Sequence, residues 1–262
     1  MKIDYDISQV APYINWDYFF YAWAMHNKPE AEKQKLRQEA EQTLRRLEGR
    51  YRVYGLFELF DAHSDGDDVV IADSGRHIAF LRQQQLGGEC LCLADFIHPQ
   101  HDRLGVFATS VDSGLEADFD HDAYEKMMVQ LLADRLAEAA AECMHEAVRK
   151  HYWGYAPDEQ LSMEQLHAEQ FQGIRPAVGY PSLPDTSINF DIDQLIGLSK
   201  IGIRLTESGA MKPHASVSGF MIAHPQSRYF AIGKIGSDQL SDYACRRGLP
   251  IEVIRKFLAT NI

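Results

Sequence analysis

Basic residues are in short supply: 26 Lys and Arg stand against 38 Asp and Glu, giving a formal charge of −12 and a pI near 5.3. A phosphate backbone needs clustered cations, so this balance argues against nucleic acid as a partner. It is compatible with a cationic ligand or a basic protein surface, and equally with a plain solvated acidic exterior. Cysteine is scarce as well. Cys90, Cys92, Cys143 and Cys245 are too few and too scattered for a disulfide framework. Cys90 and Cys92 have period-2 spacing in an apolar run, which predicts two free thiols on one face of a strand. No apolar stretch reaches membrane-spanning length and no basic-then-apolar leader opens the chain, which predicts a cytoplasmic protein with no membrane contact. Low-complexity linkers and internal repeats are missing, so residues 1–262 read as a single domain.

Familiar catalytic and metal patterns also fail. Asp118-x-Asp120-x-Asp122 opens like a calcium loop, but Ala123 and Val129 stand where such a loop wants Gly and Glu. His98 and His101 flank a proline without further ligands, so no metal site is expected. Ser216-Val217-Ser218-Gly219 lacks the first glycine of a nucleophile elbow. Residues 237–258 resemble a helix-turn-helix in outline only, since they carry no basic recognition face. Catalytic residues are therefore not assigned.

What remains is a regular pattern of elements. Residues 30–48 alternate charged side chains around Leu36, Ala40, Leu44 and Leu47, an exposed amphipathic helix ended by Gly49. Strands are expected at Val53–Phe60, Val69–Ala72, His77–Arg82, Cys90–Ile97 and Leu104–Ser110, with Asp65-Gly66-Asp67 as a hairpin turn. Asp122–Tyr152 reads as one long helix with a broad apolar face, and Ser162-x-x-Gln165 as a capping box. A helix around Ile192–Ile196 closes near Gly202, and Ile203–Glu207, Ser216–Ala223 and Tyr229–Ile235 are expected strands, the last two a hairpin. Two short helices finish the chain. Consecutive strands with short connections predict antiparallel pairing and an α+β fold.

Gly173-Ile-Arg-Pro-Ala-Val-Gly-Tyr-Pro-Ser-Leu-Pro-Asp185 stands apart from this pattern. Three prolines stiffen it and Gly179 frees one position, so the chain is holding a loop in shape around Arg175. Such an arginine either braces its own loop or forks toward a ligand carboxylate. The run resembles the Arg-Pro-x-x-Gly-Tyr-Pro signature of the activation domain of cobalamin-dependent methionine synthase. Further segments follow in that family's order: Tyr13-Ile-Asn-Trp-Asp-Tyr-Phe-Phe20, Cys92-Leu-Ala-Asp-Phe96, Ala133-Asp-Arg-Leu-Ala-Glu-Ala139 and Tyr152-Trp-Gly-Tyr-Ala-Pro157. Leu205–Ser208, Ala215–Gly219, His224-Pro225 and Ser227–Phe230 complete the series.

The resemblance implies a twisted antiparallel sheet flanked by helices, and a site for S-adenosylmethionine built from Asn15, Glu138, Glu169, Arg175, Ala177, Tyr180, Tyr229 and Phe230. It implies that Arg175 meets the methionyl carboxylate and that Glu138 and Glu169 face the ligand's cationic and hydroxyl groups. Tyr229 and Phe230 line the nucleoside end, and Tyr180 faces a corrinoid ring. Asn15 departs from the family, which usually has Asp there; Asp17 offers a nearby carboxylate in its place. Thr206–Ser208 and Ser216–Gly219 are expected to border the cleft. The implied role is to present S-adenosylmethionine for reductive remethylation of cob(II)alamin on a cobalamin-binding domain or subunit, with a flavodoxin-like electron donor. Cobalamin enters only through that partner, because 262 residues leave no room for the homocysteine, folate and cobalamin domains. The chain alone therefore cannot turn over, as a free-standing subunit or an excised fragment. A binding module that senses S-adenosylmethionine, or an activator of another corrinoid protein, are the alternative readings.

Overall fold

The computed structural model describes residues 1–85 and 87–262. Its centre is a six-stranded antiparallel sheet formed by β1 (Lys2–Tyr5), β2 (Val53–Asp65), β3 (Asp68–Ile71), β4 (Arg76–Ala79), β5 (Asp102–Val111) and a strand near the end, β8 (Ser216–Met221). The order is β4-β3-β2-β5-β8, with β1 beside the first half of β2. β2 is long enough to pair with β1 at Val53–Leu56 and with β3 at Ala62–Asp65 on one edge, while β5 runs along the other. The expected end of this strand at Phe60 is too early, because polar residues such as Asp61 and His63 hide its continuation. A two-stranded ribbon, β6 (Arg204–Leu205) and β7 (Met211–Lys212), lies apart.

Alternation decides the two faces. Val53, Phe57, Phe107, Val217 and Met221 face one core, packed under the long helix α5 (Ala123–Ala147). Leu56, Leu104, Val106, Ala108 and Phe220 face the other, packed on α7 (Ile188–Ile196). β5 is buried on both sides from Leu104 to Val111, as its nearly unbroken apolar run requires. Around these layers lie α1 (Ile7–Val10), α2 (Trp16–Ala22), α3 (Glu30–Leu47), α4 (Gly114–Ala117) and α6 (Met163–His167). The last helices, α8 (Ser237–Arg247) and α9 (Ile251–Phe257), bury Leu240, Tyr243 and Ile254 against Ala79, Leu81 and Ile232. No helix among the described residues is long and apolar enough to cross a membrane.

Two expected strands are corrected. Cys90–Ile97 is a 3-10 turn at Leu93–Phe96, because the Asp95 carboxylate takes the Cys92 N–H at 2.8 Å and curls the chain. Cys92 is buried and Cys90 is partly exposed, so the two do not share a strand face; burial pushes the Cys92 thiol up to about 12. Tyr229–Ile235 is irregular and forms no hairpin with β8. The edge of β8 is occupied by the 173–178 segment instead, and Ile232 N–H donates to the Pro181 carbonyl at 2.8 Å. The acidic and histidine patterns also have local explanations. Asp118 accepts from the Tyr51 hydroxyl, Asp120 pairs with Lys126, Asp122 caps α5, and His98 Nδ1 accepts from the backbone of Gln100.

Candidate functional site

The stiff loop covers the free edge of β8. Ile174 and Ile222 exchange backbone hydrogen bonds at 2.9 and 3.0 Å, Phe220 N–H donates to the Pro176 carbonyl at 3.0 Å, and Val178 N–H to Ser218 at 2.9 Å. Pro176, without an N–H, is used as an acceptor only. Gly219 is what lets the loop come so close: a Cβ there would lie 2.1 Å from the Pro176 oxygen and 2.9 Å from the Ala177 Cα. Beyond Ala177 the chain turns twice, Tyr180 N–H bonding Ala177 and Leu183 N–H bonding Tyr180. Gly179 takes the first turn with φ +87°, a value that an L side chain resists, and Pro181 opens the second. The result lifts Tyr180, 51% exposed, onto the rim.

A cavity of about 580 Å³ opens between this loop and α5, lined by all eight residues named from the sequence: Asn15, Glu138, Glu169, Arg175, Ala177, Tyr180, Tyr229 and Phe230. Arg175 is only 7% exposed, with its guanidinium 5.6 Å from the Phe107 ring centroid and ion-paired to Glu142. Burial opposes its charge, but Glu142, Tyr229 and Glu138 outweigh that cost and hold its pKa above the ordinary value. Its backbone N–H donates to the Tyr229 hydroxyl at 2.9 Å, which fixes the ring over the loop. Burial pushes the Tyr229 phenol up to about 12, with Arg175 pulling the other way. Tyr180 donates to Glu138 at 2.6 Å.

Glu169 reaches the cavity through an unusual backbone. Helix α6 starts with the expected capping box, Gln165 N–H to Ser162 Oγ at 3.2 Å and Ser162 N–H to Gln165 Oε1 at 2.9 Å. It ends in a Schellman motif, with Gln170 N–H on Gln165 and Glu169 N–H on Leu166, both at 3.0 Å. That motif wants glycine at the position Glu169 fills with φ +55°. A left-handed residue with a side chain costs about 1–2 kcal/mol, so a glutamate here is kept against stability. Its carboxyl is held above the usual range by burial and by Glu142, with Arg175 countering in part.

Asn15 is the N-cap of α2, its Oδ1 accepting from Asp17 N–H at 3.1 Å. Asn caps as well as Asp does, so the departure from the family's Asp leaves this local structure intact. Asp17 is exposed and does not line the cavity, so it is no substitute there. Nor do Thr206–Ser208 or Ser216–Gly219 border it. They hold the start of α7, just past the loop: Thr186 Oγ1 donates to Ser208, Asn189 to Gly209, and Ser218 to Asn189, at 3.1, 2.8 and 2.5 Å. Sequence reasoning missed Glu142 and Arg135, although Arg135, Glu138 and Glu142 follow one helical face at spacings of three and four. Tyr18, under Arg135 at 5.9 Å, also lines the cavity and belongs to the Tyr13–Phe20 motif.

A second layer lies behind Arg175. His145 is fully buried, edge-on to Phe171 at 5.1 Å and 3.4 Å from the Tyr155 hydroxyl. Arg149, also fully buried, covers the same Phe171 ring at 4.2 Å and pairs with Glu159 at 2.6 Å. Burial, then Arg149 and Arg175, hold the His145 imidazole well below its ordinary value, so it is neutral.

Two comparisons with known proteins bear on this site. The family described as vitamin B12 dependent methionine synthase, activation domain, matches residues 6–248. A solved structure described as the crystal structure of the MetH reactivation domain bound to AdoHcy is similar at a TM-score of 0.93 and 38% identity. That match covers 100% of this chain and 90% of the other.

Proposed function

The chain belongs to the activation-domain family of vitamin B12 dependent methionine synthase, and from that premise we propose that residues 1–262 act as one unit that binds S-adenosylmethionine in the cavity over α5. The observation that carries this reading is a buried guanidinium set among three carboxylates, Glu138, Glu142 and Glu169, beside the rings of Tyr229 and Phe230. The donor set fits the ligand: Arg175 suits a carboxylate, the glutamates suit cationic and hydroxyl groups, and the rings suit adenine. When bound, S-adenosylmethionine supplies a methyl group made electrophilic by its sulfonium. The residues here bind and orient; methyl transfer from a sulfonium needs none of them to move a proton. The exposed Tyr180 on the rim suits contact with a flat macrocycle carried by a partner.

The finer reading is reductive remethylation in the cytoplasm. One electron from a flavodoxin-like donor and one methyl group would restore methylcobalamin from cob(II)alamin on the cobalamin-binding domain or subunit of methionine synthase, releasing S-adenosylhomocysteine. This chain does not complete a turnover by itself. The test mixes it with a corrinoid-loaded methionine synthase core lacking its own activation domain, S-adenosylmethionine and a reductant. The cob(II)alamin spectrum should convert to that of methylcobalamin, and Tyr180→Ala should slow the conversion more than it weakens ligand binding. Binding without conversion of any such core would favour a sensor module, and no binding would defeat both readings.

A further inference from the structure

Six buried side-chain polar atoms among the described residues have no hydrogen-bond partner. Four of them, on Trp23, His145, Arg149 and Arg247, belong to residues away from the cavity. The other two are Arg175 Nε and Glu142 Oε2, on cavity-lining residues that are ion-paired to each other. A buried pair normally survives by having its remaining donors and acceptors satisfied. This one leaves a spare donor on the cation and a spare acceptor on the anion. It is an incomplete pair, and a molecule carrying one anion and one cation close together is able to complete it.

We infer that Glu142 is the partner of the ligand's ammonium: in the free protein it holds Arg175, and on binding it yields the guanidinium to the ligand's α-carboxylate and accepts the α-ammonium. This rests on the S-adenosyl reading above and adds a residue to it. The neighbouring carboxylates are less suited to the task. Glu138 already accepts from the Tyr180 hydroxyl at 2.6 Å. Glu169 lies on the turn that ends α6, and partial desolvation and Glu142 itself already raise its carboxyl. That like-charge repulsion also sets the direction of the exchange. Once a ligand carboxylate occupies Arg175, Glu142 is left beside Glu138 and Glu169 without its ion-pair partner, and a positive group supplied by the ligand relieves it. The site would therefore select α-amino acid zwitterions over ligands that carry the carboxylate alone.

A double cycle separates this role from simple bracing of Arg175. The ligands are S-adenosylhomocysteine, whose sulfur is neutral, and its deaminated analogue S-(5′-adenosyl)-4-thiobutyrate; the proteins are wild type and Glu142→Gln. Wild type should bind the deaminated analogue about 10- to 100-fold more weakly, as for loss of a charged hydrogen bond. In Glu142→Gln the two ligands should bind within about threefold of each other, because the group that senses the ammonium is gone. 5′-Methylthioadenosine, which lacks the amino-acid end, should bind both proteins alike and reports that the variant is folded. If it is not, Glu142→Asp, which keeps the charge at shorter reach, should show an intermediate discrimination. Equal losses for both ligands in Glu142→Gln, or no loss, would reduce Glu142 to a brace and overturn the proposal. A wild-type protein that binds no S-adenosylhomocysteine would instead overturn the functional reading on which it rests.

Discussion

Arg82 and Arg175 are both arginines drawn in from solvent by irregular chain, and they are satisfied in opposite ways. Every N–H of Arg82 has an acceptor: Nε and Nη2 on Asp67 at 2.8 and 2.6 Å, Nη1 and Nη2 on Asp95 at 2.8 and 2.7 Å, and Nη1 on the Cys90 carbonyl at 2.7 Å. Arg175 is more deeply buried, yet it has Glu142 as its acceptor and leaves Nε unpaired. Arg82 also receives its partners from three residues nearby in the chain, Asp67, Cys90 and Asp95. The contrast teaches what a buried arginine is for. A saturated guanidinium fastens loops together, whereas an under-used one, on the wall of a cavity and surrounded by excess carboxylate, has what a receptor for a ligand requires.

The widest break between the two should come from removing each in turn. Arg82→Ala leaves Asp67 and Asp95 facing each other without a cation, and should cost about 2–3 kcal/mol of unfolding free energy in urea. The remaining folded protein should bind S-adenosylhomocysteine as before. Arg175→Ala, whatever stability it loses, should bind S-adenosylhomocysteine about 10- to 100-fold more weakly by calorimetry. If the two variants lost stability equally and ligand affinity equally, the distinction between fastener and receptor would collapse.

Acid offers a second, smaller lever, because His145 lies behind Arg175 and not behind Arg82. Its neutral form is favoured in the folded state by burial and by the charges of Arg149 and Arg175, so its folded pKa lies well below the ordinary 6.5. Below that unfolded value the unfolded chain binds the extra proton. Stability is therefore complete above about pH 6.5 and should fall on acidification by about 1.4 kcal/mol per pH unit until the folded pKa is reached. Urea titrations between pH 7 and pH 5 should show this slope flattened by close to one proton in His145→Gln, and unchanged in Arg82→Ala. A His145→Gln slope identical to wild type would mean that His145 is not the acid-sensitive group.

The smallest effect concerns Glu169. Replacing it with glycine removes a side chain from a left-handed position and should stabilise the protein by about 1 kcal/mol, seen as a raised Tm. The same change removes a carboxylate facing Arg175's cavity, so affinity for S-adenosylmethionine should fall while the Tm rises. A variant that gained stability with undiminished affinity would show that the strain at Glu169 serves something other than the ligand.

Most of the layers were legible from local pattern. The apolar face of α5, the long buried run of β5, the capping box of α6 and the hairpin at Asp65–Asp68 follow from periodicity and turn chemistry that neighbouring residues supply. The failures share one cause. At Cys90–Ile97 a side chain, Asp95, captured a backbone N–H that a strand would have used, and Arg82 locked the curl. At Tyr229–Ile235 the strand edge was already taken by residues 174–178, a competition between distant segments that composition does not reveal. β1 is not legible in the sequence, because four residues carry too little pattern.

For the site, the sequence determined the loop and most of its companions, because prolines and glycines fix a backbone wherever the chain places it, and the ordered series of motifs marked the family. Eight residues named that way converge on one cavity. What the sequence could not settle is how charges are shared there. Glu142 is 33 residues from Arg175, and only the packing of α5 against the loop makes it the acceptor. Glu138 is spoken for by Tyr180 for the same reason. Charge type is written locally, but whether a charge is saturated or left open depends on which partners the tertiary structure brings within about 3 Å.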